Sequence, residues 1–216
     1  MKINRFALFS MLTLALSCCF STLFAQYPGY KDVADIAAFK TKYMSESAKI
    51  QSITSNFTQE KTMSAVANKV SSDGKFWFKR SNKLRMEYVK PQPYTLVMSA
   101  DKVSINENGK EKKMNAASSK VFKEINRVVM DCIQGSILDS KDFSTRVFEN
   151  DKTYLLEMTP NSKAFREFFK DIVLVIEKTD FTARSIAMNE PAGDKTVITF
   201  TGKKLNQQVA DSLFNI

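Results

Sequence analysis

The sequence predicts a mainly β (α+β) protein built on one antiparallel sheet of about 11 strands with two helices. Three observations carry this. Segments of alternating apolar and polar residues recur through most of the chain. Asn108-Gly109 sits between two of them, and a type I′ hairpin turn needs positive φ at both central positions. Two other stretches, 31–49 and 121–137, space their apolar residues by three and four instead.

Lys31 to about Lys49 reads as a helix on Val33, Ile36, Ala37, Phe39, Tyr43 and Met44. From Ile53 the period drops to two, with Ile53, Ser55, Phe57 and Gln59 on one face. A second run puts Gly74, Phe76, Phe78 and Arg80 on one face and Asp73, Lys75, Trp77 and Lys79 on the other. After a turn at Ser81-Asn82-Lys83, Leu84, Met86 and Tyr88 alternate with Arg85 and Glu87. Pro91-Gln92-Pro93 breaks the chain before Tyr94–Ser99, and Val103 and Ile105 lead into the Asn108-Gly109 hairpin with its return strand at 110–115. Val121, Phe122, Ile125, Val128, Val129, Cys132, Ile133 and Ile137 then form one helical stripe that ends near Gly135. Strands resume at 143–149, 153–159, 172–178, 183–189 and 195–203, interrupted by a Phe-rich segment at 164–170. A sheet of that many strands must curl, split or close.

Residues 1–25 have the three parts of a secretory signal, which leaves 26–216 as a single domain. Lys2 and Arg5 supply the positive start, Phe6–Phe20 the apolar stretch, and Ala25-Gln26 the small residue at a cleavage point. A permanent anchor needs about 18 or more apolar residues, and Ser10, Thr13 and Ser17 dilute this shorter run. Lipidation at Cys18 is the other reading, although no Leu stands three residues before that Cys. Removing the leader takes away two cations and no acid, so the net charge falls from +9 to +7. For an exported basic protein the matching partner is an anionic membrane surface or lipid head group rather than nucleic acid. A plain soluble surface accounts for the charge equally well.

The chain has no His, which excludes Ser-His-Asp and Cys-His catalysis and His-containing zinc sites. Once the leader is gone, Cys132 is left without an internal disulfide partner. Without His the remaining catalytic routes are a carboxylate pair or a Ser-Lys dyad, and Glu157, Glu177 and Glu190 are scattered over outward strand positions. No enzyme, cofactor or metal is therefore expected. By contrast, the inward strand faces are rich in Phe and Met, which pack adaptably against flexible apolar ligands. Each such residue taken singly reads as ordinary core.

The ordered set of helix, Ser55-Asn56-Phe57-Thr58-Gln59, Gly74-Lys75-Phe76-Trp77-Phe78-Lys79-Arg80-Ser81-Asn82, Leu84-Arg85-Met86-Glu87-Tyr88, Pro91 and Leu96-Val97 resembles the periplasmic outer-membrane lipoprotein carriers of the LolA type. Asp211-Ser212-Leu213-Phe214 is similar to the family's final segment. Ser81 stands where the family usually has Pro, and Ala100-Asp101 where it has Asp-Gly. The resemblance implies a strongly curved, incompletely closed antiparallel β-barrel with helices forming a lid over an apolar cavity. It implies a periplasmic carrier, here expected to be a monomer, with three kinds of partner: acylated lipoproteins, an inner-membrane ABC-type releasing complex and an outer-membrane acceptor or the membrane itself. Two rivals share the fold: a carrier of another lipid or glycolipid, and a sensor or receptor that binds lipoproteins without carrying them. On the carrier reading, Phe57, Phe76, Phe78, Leu84, Met86, Tyr88, Leu96 and Met98 are expected to line the cavity with Phe122, Ile125, Val129 and Ile133 from the lid. Arg80 shares a strand face with Phe76 and Phe78, and the resemblance implies that it latches the lid through helix backbone. A strand-end Arg that snorkels to water is the plainer alternative.

Overall fold

Alternation of period two does produce strands at all the predicted places, and a twelfth strand lies outside the pattern. The computed structural model describes residues 27–66, 68–80, 82–115 and 120–216, with backbone only over 120–126. The predicted leader and Ser81 lie outside the described residues. Lys31–Ile216 form one unit. Its strands are β1 (Lys31–Asp32), β2 (Ser52–Met63), β3 (Asn68–Lys79), β4 (Lys83–Lys90), β5 (Tyr94–Ser99), β6 (Lys102–Glu107), β7 (Lys110–Asn115), β8 (Phe143–Glu149), β9 (Thr153–Pro160), β10 (Asp171–Glu177), β11 (Ala183–Asn189) and β12 (Lys195–Leu205). The helices are α1 (Ile36–Ala48), α2 (Lys120–Gln134) and the single turn α3 (Lys163–Arg166) within the Phe-rich segment.

The strands make one antiparallel sheet in the order β1-β8-β9-β10-β11-β12-β2-β3-β4-β5-β6-β7. It is two meanders joined where β12 pairs with β2, and the edge strands β1 and β7 do not pair, so the barrel stays open. The predicted turn at Asn108-Gly109 has φ of 50° and 82°, the positive values that type I′ requires.

Two boundaries differ from the periodicity. The first helix does not begin at Lys31. Lys31 and Asp32 pair with Glu149 and Phe148 of β8, and Asp35 then caps α1, its Oδ1 accepting from Ala38 N at 2.8 Å. The β2–β3 hairpin is longer at its far end than the apolar pattern marks. Apart from an exposed Val70, Glu60–Thr62 and Lys69–Ser72 are polar on both faces, yet they pair in register out to Met63 opposite Asn68.

Two groups of buried side chains fill the concave side. Phe39 and Tyr43 of α1 pack with Phe143, Leu156, Met158, Leu174 and Ile176. Ile53, Phe57, Phe76, Phe78, Leu84 and Met98 form the second group. Helix α2 joins them, since Val128 belongs to the first and Met130 to the second. On the other face the C-terminal segment lays Val209 and Phe214 over Val97, beside Trp77.

Candidate functional site: an apolar cavity beneath two helices

Between sheet and helices lies a cavity of about 340 Å³ with almost wholly apolar walls. That is within the usual range of small-molecule sites, about 300–1,000 Å³. Leu96 of β5 and Leu174 of β10 both line it. These strands are six steps apart in the sheet, or about 29 Å if the sheet were flat. Only a strongly curled sheet brings them to one cavity.

Of the residues expected there, Phe76, Leu84, Met86, Tyr88, Leu96 and Met98 line the cavity from β3–β5, and Val129 and Ile133 line it from α2. Phe57 and Phe78 are a correction. Both are 1% exposed and belong to the packed wall behind the cavity surface. Phe57 is drawn against the sheet because its partner across the ladder is Gly74. The ring fills the space where a Cβ would stand, and Tyr88 meets it edge-on at 4.9 Å. Phe122 and Ile125 lie on α2, where the described residues give backbone only.

The other half of the wall comes from the second meander: Met158, Ile172, Leu174, Ile186, Met188, Ile198 and Phe200. Sequence reasoning assigned none of these to the site. Their signal is the alternation Ile172-Leu174-Ile176, but Val173 and Val175 between them are also apolar. A strand apolar on both faces does not announce which face meets a cavity.

Among the described residues, polar contacts tie the two helices over the cavity to each other and to neighbouring loops. Tyr43 OH donates to the Cys132 carbonyl in the last turn of α2. Gly135, with φ of 77°, ends α2 in a Schellman motif closed by Ser136 N to Asp131 O at 2.9 Å. A Cβ on Gly135 would come within 3.1 Å of the Met44 backbone of α1, so the two helices touch closely here. Burial, and secondarily Asp131, push the Cys132 thiol up to about 12, so it stays protonated and unreactive in the wall. Burial also raises the Tyr88 phenol to about 12, with Tyr94 adding to the effect.

Arg80 follows the last residue of β3 and turns its guanidinium to the C-terminal end of α1. Its Nη2 donates to Ser47 O at 2.6 Å and its Nε to Ile50 O at 2.7 Å. The C-terminal end of α1 carries the negative end of the macrodipole, so a cation there is matched. The contacts are to α1 and the residues just after it, not to α2. The three carboxylates considered for catalysis do not meet one another. Glu157 is buried and faces Arg146 at 3.6 Å, Glu177 grips Arg184 at 2.7 Å, and Glu190 lies 3.5 Å from Lys61. Among the described residues no group of three or more Cys, Asp or Glu could hold a metal ion.

An open β-barrel with an apolar chamber under a helical cover defines a class of ligand-holding proteins. The chain belongs to the LolA family of outer membrane lipoprotein carrier proteins, whose model matches residues 48–216. No curated protein matches it. Among solved structures, an uncharacterized conserved protein from Thermus thermophilus is similar at 9% identity with a TM-score of 0.50, covering 84% of this chain and 94% of that one. A LolA superfamily protein from Nitrosomonas europaea has 11% identity and a TM-score of 0.43, with 82% and 97% covered. The Pseudomonas aeruginosa MucA/MucB complex contains a chain similar at 10% identity and a TM-score of 0.49, with 83% and 60% covered.

Proposed function

We propose that the protein is a periplasmic carrier that takes up the acyl chains of lipoproteins leaving the inner membrane and delivers them to the outer membrane. The observation that carries this is the apolar cavity, walled by both meanders and covered by α1 and α2. Acyl chains transfer from water to such a site with about 0.8 kcal/mol per CH₂. Residues 1–25 supply the cleavable export signal, and 26–216 is the working domain. The donor is an ABC-type releasing complex of the inner membrane, and the acceptor is an outer-membrane receptor or the membrane itself. Arg80 latches the cover by holding the end of α1.

The test uses an environment-sensitive apolar dye and an acylated lipoprotein. The folded protein should bind the dye, and lipoprotein should displace it. A detergent titration opens the cover and controls for a closed cavity. Transfer is measured by loading from inner-membrane vesicles and delivery to outer-membrane vesicles. Binding without delivery would replace the carrier with a sensor or receptor. Displacement by lipid or glycolipid but not by lipoprotein would change the cargo.

A further inference from the structure

Strand β12 contains an irregularity with a purpose. Thr201 pairs with Asn56 and Lys204 with Thr54, so Gly202 and Lys203 together face the single residue Ser55. Gly202 has φ of 60°, which makes this a G1 bulge. Along β12, Thr196, Ile198 and Phe200 point inward while Lys195, Thr199 and Thr201 are exposed. Uninterrupted alternation would put Gly202 inward and send Lys203 outside. The extra residue reverses this, and Lys203 joins the lining of an apolar cavity.

A cation in that position is costly, and burial holds the Lys203 ammonium below its usual pKa. It is partnered by Thr182 Oγ1, by Ala183 O at 3.3 Å and by Asp180 at 3.6 Å. Opposite the bulge, Ser55 is 8% exposed and also lines the cavity. Its Oγ has no hydrogen-bond partner among the described residues. A buried hydroxyl without a partner carries an unrecovered desolvation cost, and such groups ask for a ligand.

We propose that Ser55 and Lys203 form a polar shelf that receives the carbonyl oxygen of an ester- or amide-linked acyl chain. This rests on the acyl-carrier reading and refines it: the cavity recognises acyl linkages, not hydrocarbon alone. The Ser55 hydroxyl donates the hydrogen bond, and Lys203 supplies positive potential beside it. A free fatty acid fits less well. Asp180 and Glu177 set negative charge close to Lys203, and Arg184 is occupied by Glu177. A neutral acceptor gains the bond without opposing those carboxylates.

The experiment is dye displacement from the purified protein by methyl palmitate, palmitate and an alkane of matched length, each delivered from cyclodextrin. The ester should displace dye at about a tenfold lower concentration than the alkane, equivalent to about 1.4 kcal/mol, with palmitate weaker than the ester. Ser55→Ala should bring the ester down to the level of the alkane and leave the alkane unchanged. Because it also removes an orphan hydroxyl, it should raise the melting temperature, by about 2–4 °C. Ser55→Thr, which keeps the donor, should retain the preference. Lys203→Met, which keeps the alkyl stem, should cut the preference by about threefold. Equal displacement by ester and alkane in the wild type, or a preference that survives Ser55→Ala, overturns the shelf and leaves an apolar carrier. Palmitate binding more tightly than the ester overturns it too. A protein that takes up neither dye nor any probe removes the carrier reading along with it.

Discussion

Gly74 shows how one missing Cβ shapes a wall. A methyl group there would stand 2.3 Å from the backbone oxygen of Glu87 and 2.5 Å from the Phe57 ring. Neither can yield cheaply, since the first is strand backbone and the second is fully buried. Gly74→Ala should therefore cost about 3 kcal/mol, at the upper end of ordinary overpacking. Urea unfolding measures it as a lower midpoint with an unchanged m-value. Asp211 acts by charge instead. Hydrogen bonds from Lys83 and Lys79 hold its carboxyl down at about 2 and pin the C-terminal segment across the outer face. The folded pKa is depressed, so the contribution is complete above the unfolded value of about 3.9 and is lost as pH falls toward 2. Wild type should lose more melting temperature than Asp211→Asn between pH 5 and pH 2, on the order of a few degrees at most for so exposed a group. Identical pH profiles would remove the clasp.

At the scale of elements, legibility followed locality. Strands β3, β4 and β5 are joined by tight turns, so the register of one fixes the next, and Phe76, Leu84, Met86 and Leu96 could be assigned to one face from alternation alone. β1 could not be found this way, because two residues paired to β8, more than a hundred positions away, leave no period to detect. β10 hides its cavity face behind Val173 and Val175, and the bulge at Gly202 inverts the side that plain alternation along β12 would give Lys203. Phe57 sits behind the wall for a reason that lies on the neighbouring strand, at Gly74. Helix ends were clearer, and Gly135 is the best case. It was marked as a stop by the sequence, and it serves both as the left-handed C-terminal residue of α2 and as the contact with α1. Gly135→Ala forces an L residue into the left-handed region, at about 1–2 kcal/mol, and presses on the Met44 backbone. The expected result is a lower melting temperature together with faster dye entry, because the α1–α2 contact is part of the cover. A stability loss with no change in dye entry would assign Gly135 to folding alone.

For the whole molecule the proposed function sets a closed cover against an occupied cavity. On the proposed carrier function, the walls would bind acyl chains more strongly the more surface they bury, so a carrier that only bound would never deliver. Delivery needs a competing closed state with its own favourable contacts. On that proposal the Arg80 guanidinium supplies one: two short charge-assisted hydrogen bonds to Ser47 O and Ile50 O tie the end of α1 to the end of β3. Hydrogen bonds to charged groups are worth about 1.5–3 kcal/mol each when buried, and this half-buried pair should give about 3 kcal/mol in total. Arg80→Leu keeps much of the side-chain volume and removes both donors. The open form then gains population, by a factor of about 100 if the whole difference falls on that equilibrium. Loading from inner-membrane vesicles should persist, while delivery to outer-membrane vesicles slows, since closure no longer opposes the bound chains. Arg80→Lys should fall between the two, because an ammonium keeps the charge but loses the planar fork that reaches both carbonyls. Dye uptake by Arg80→Leu checks that the cavity is intact, and it should be at least as fast as in wild type. Delivery at the wild-type rate would mean that Arg80 merely caps a helix and that release is driven from elsewhere in the fold.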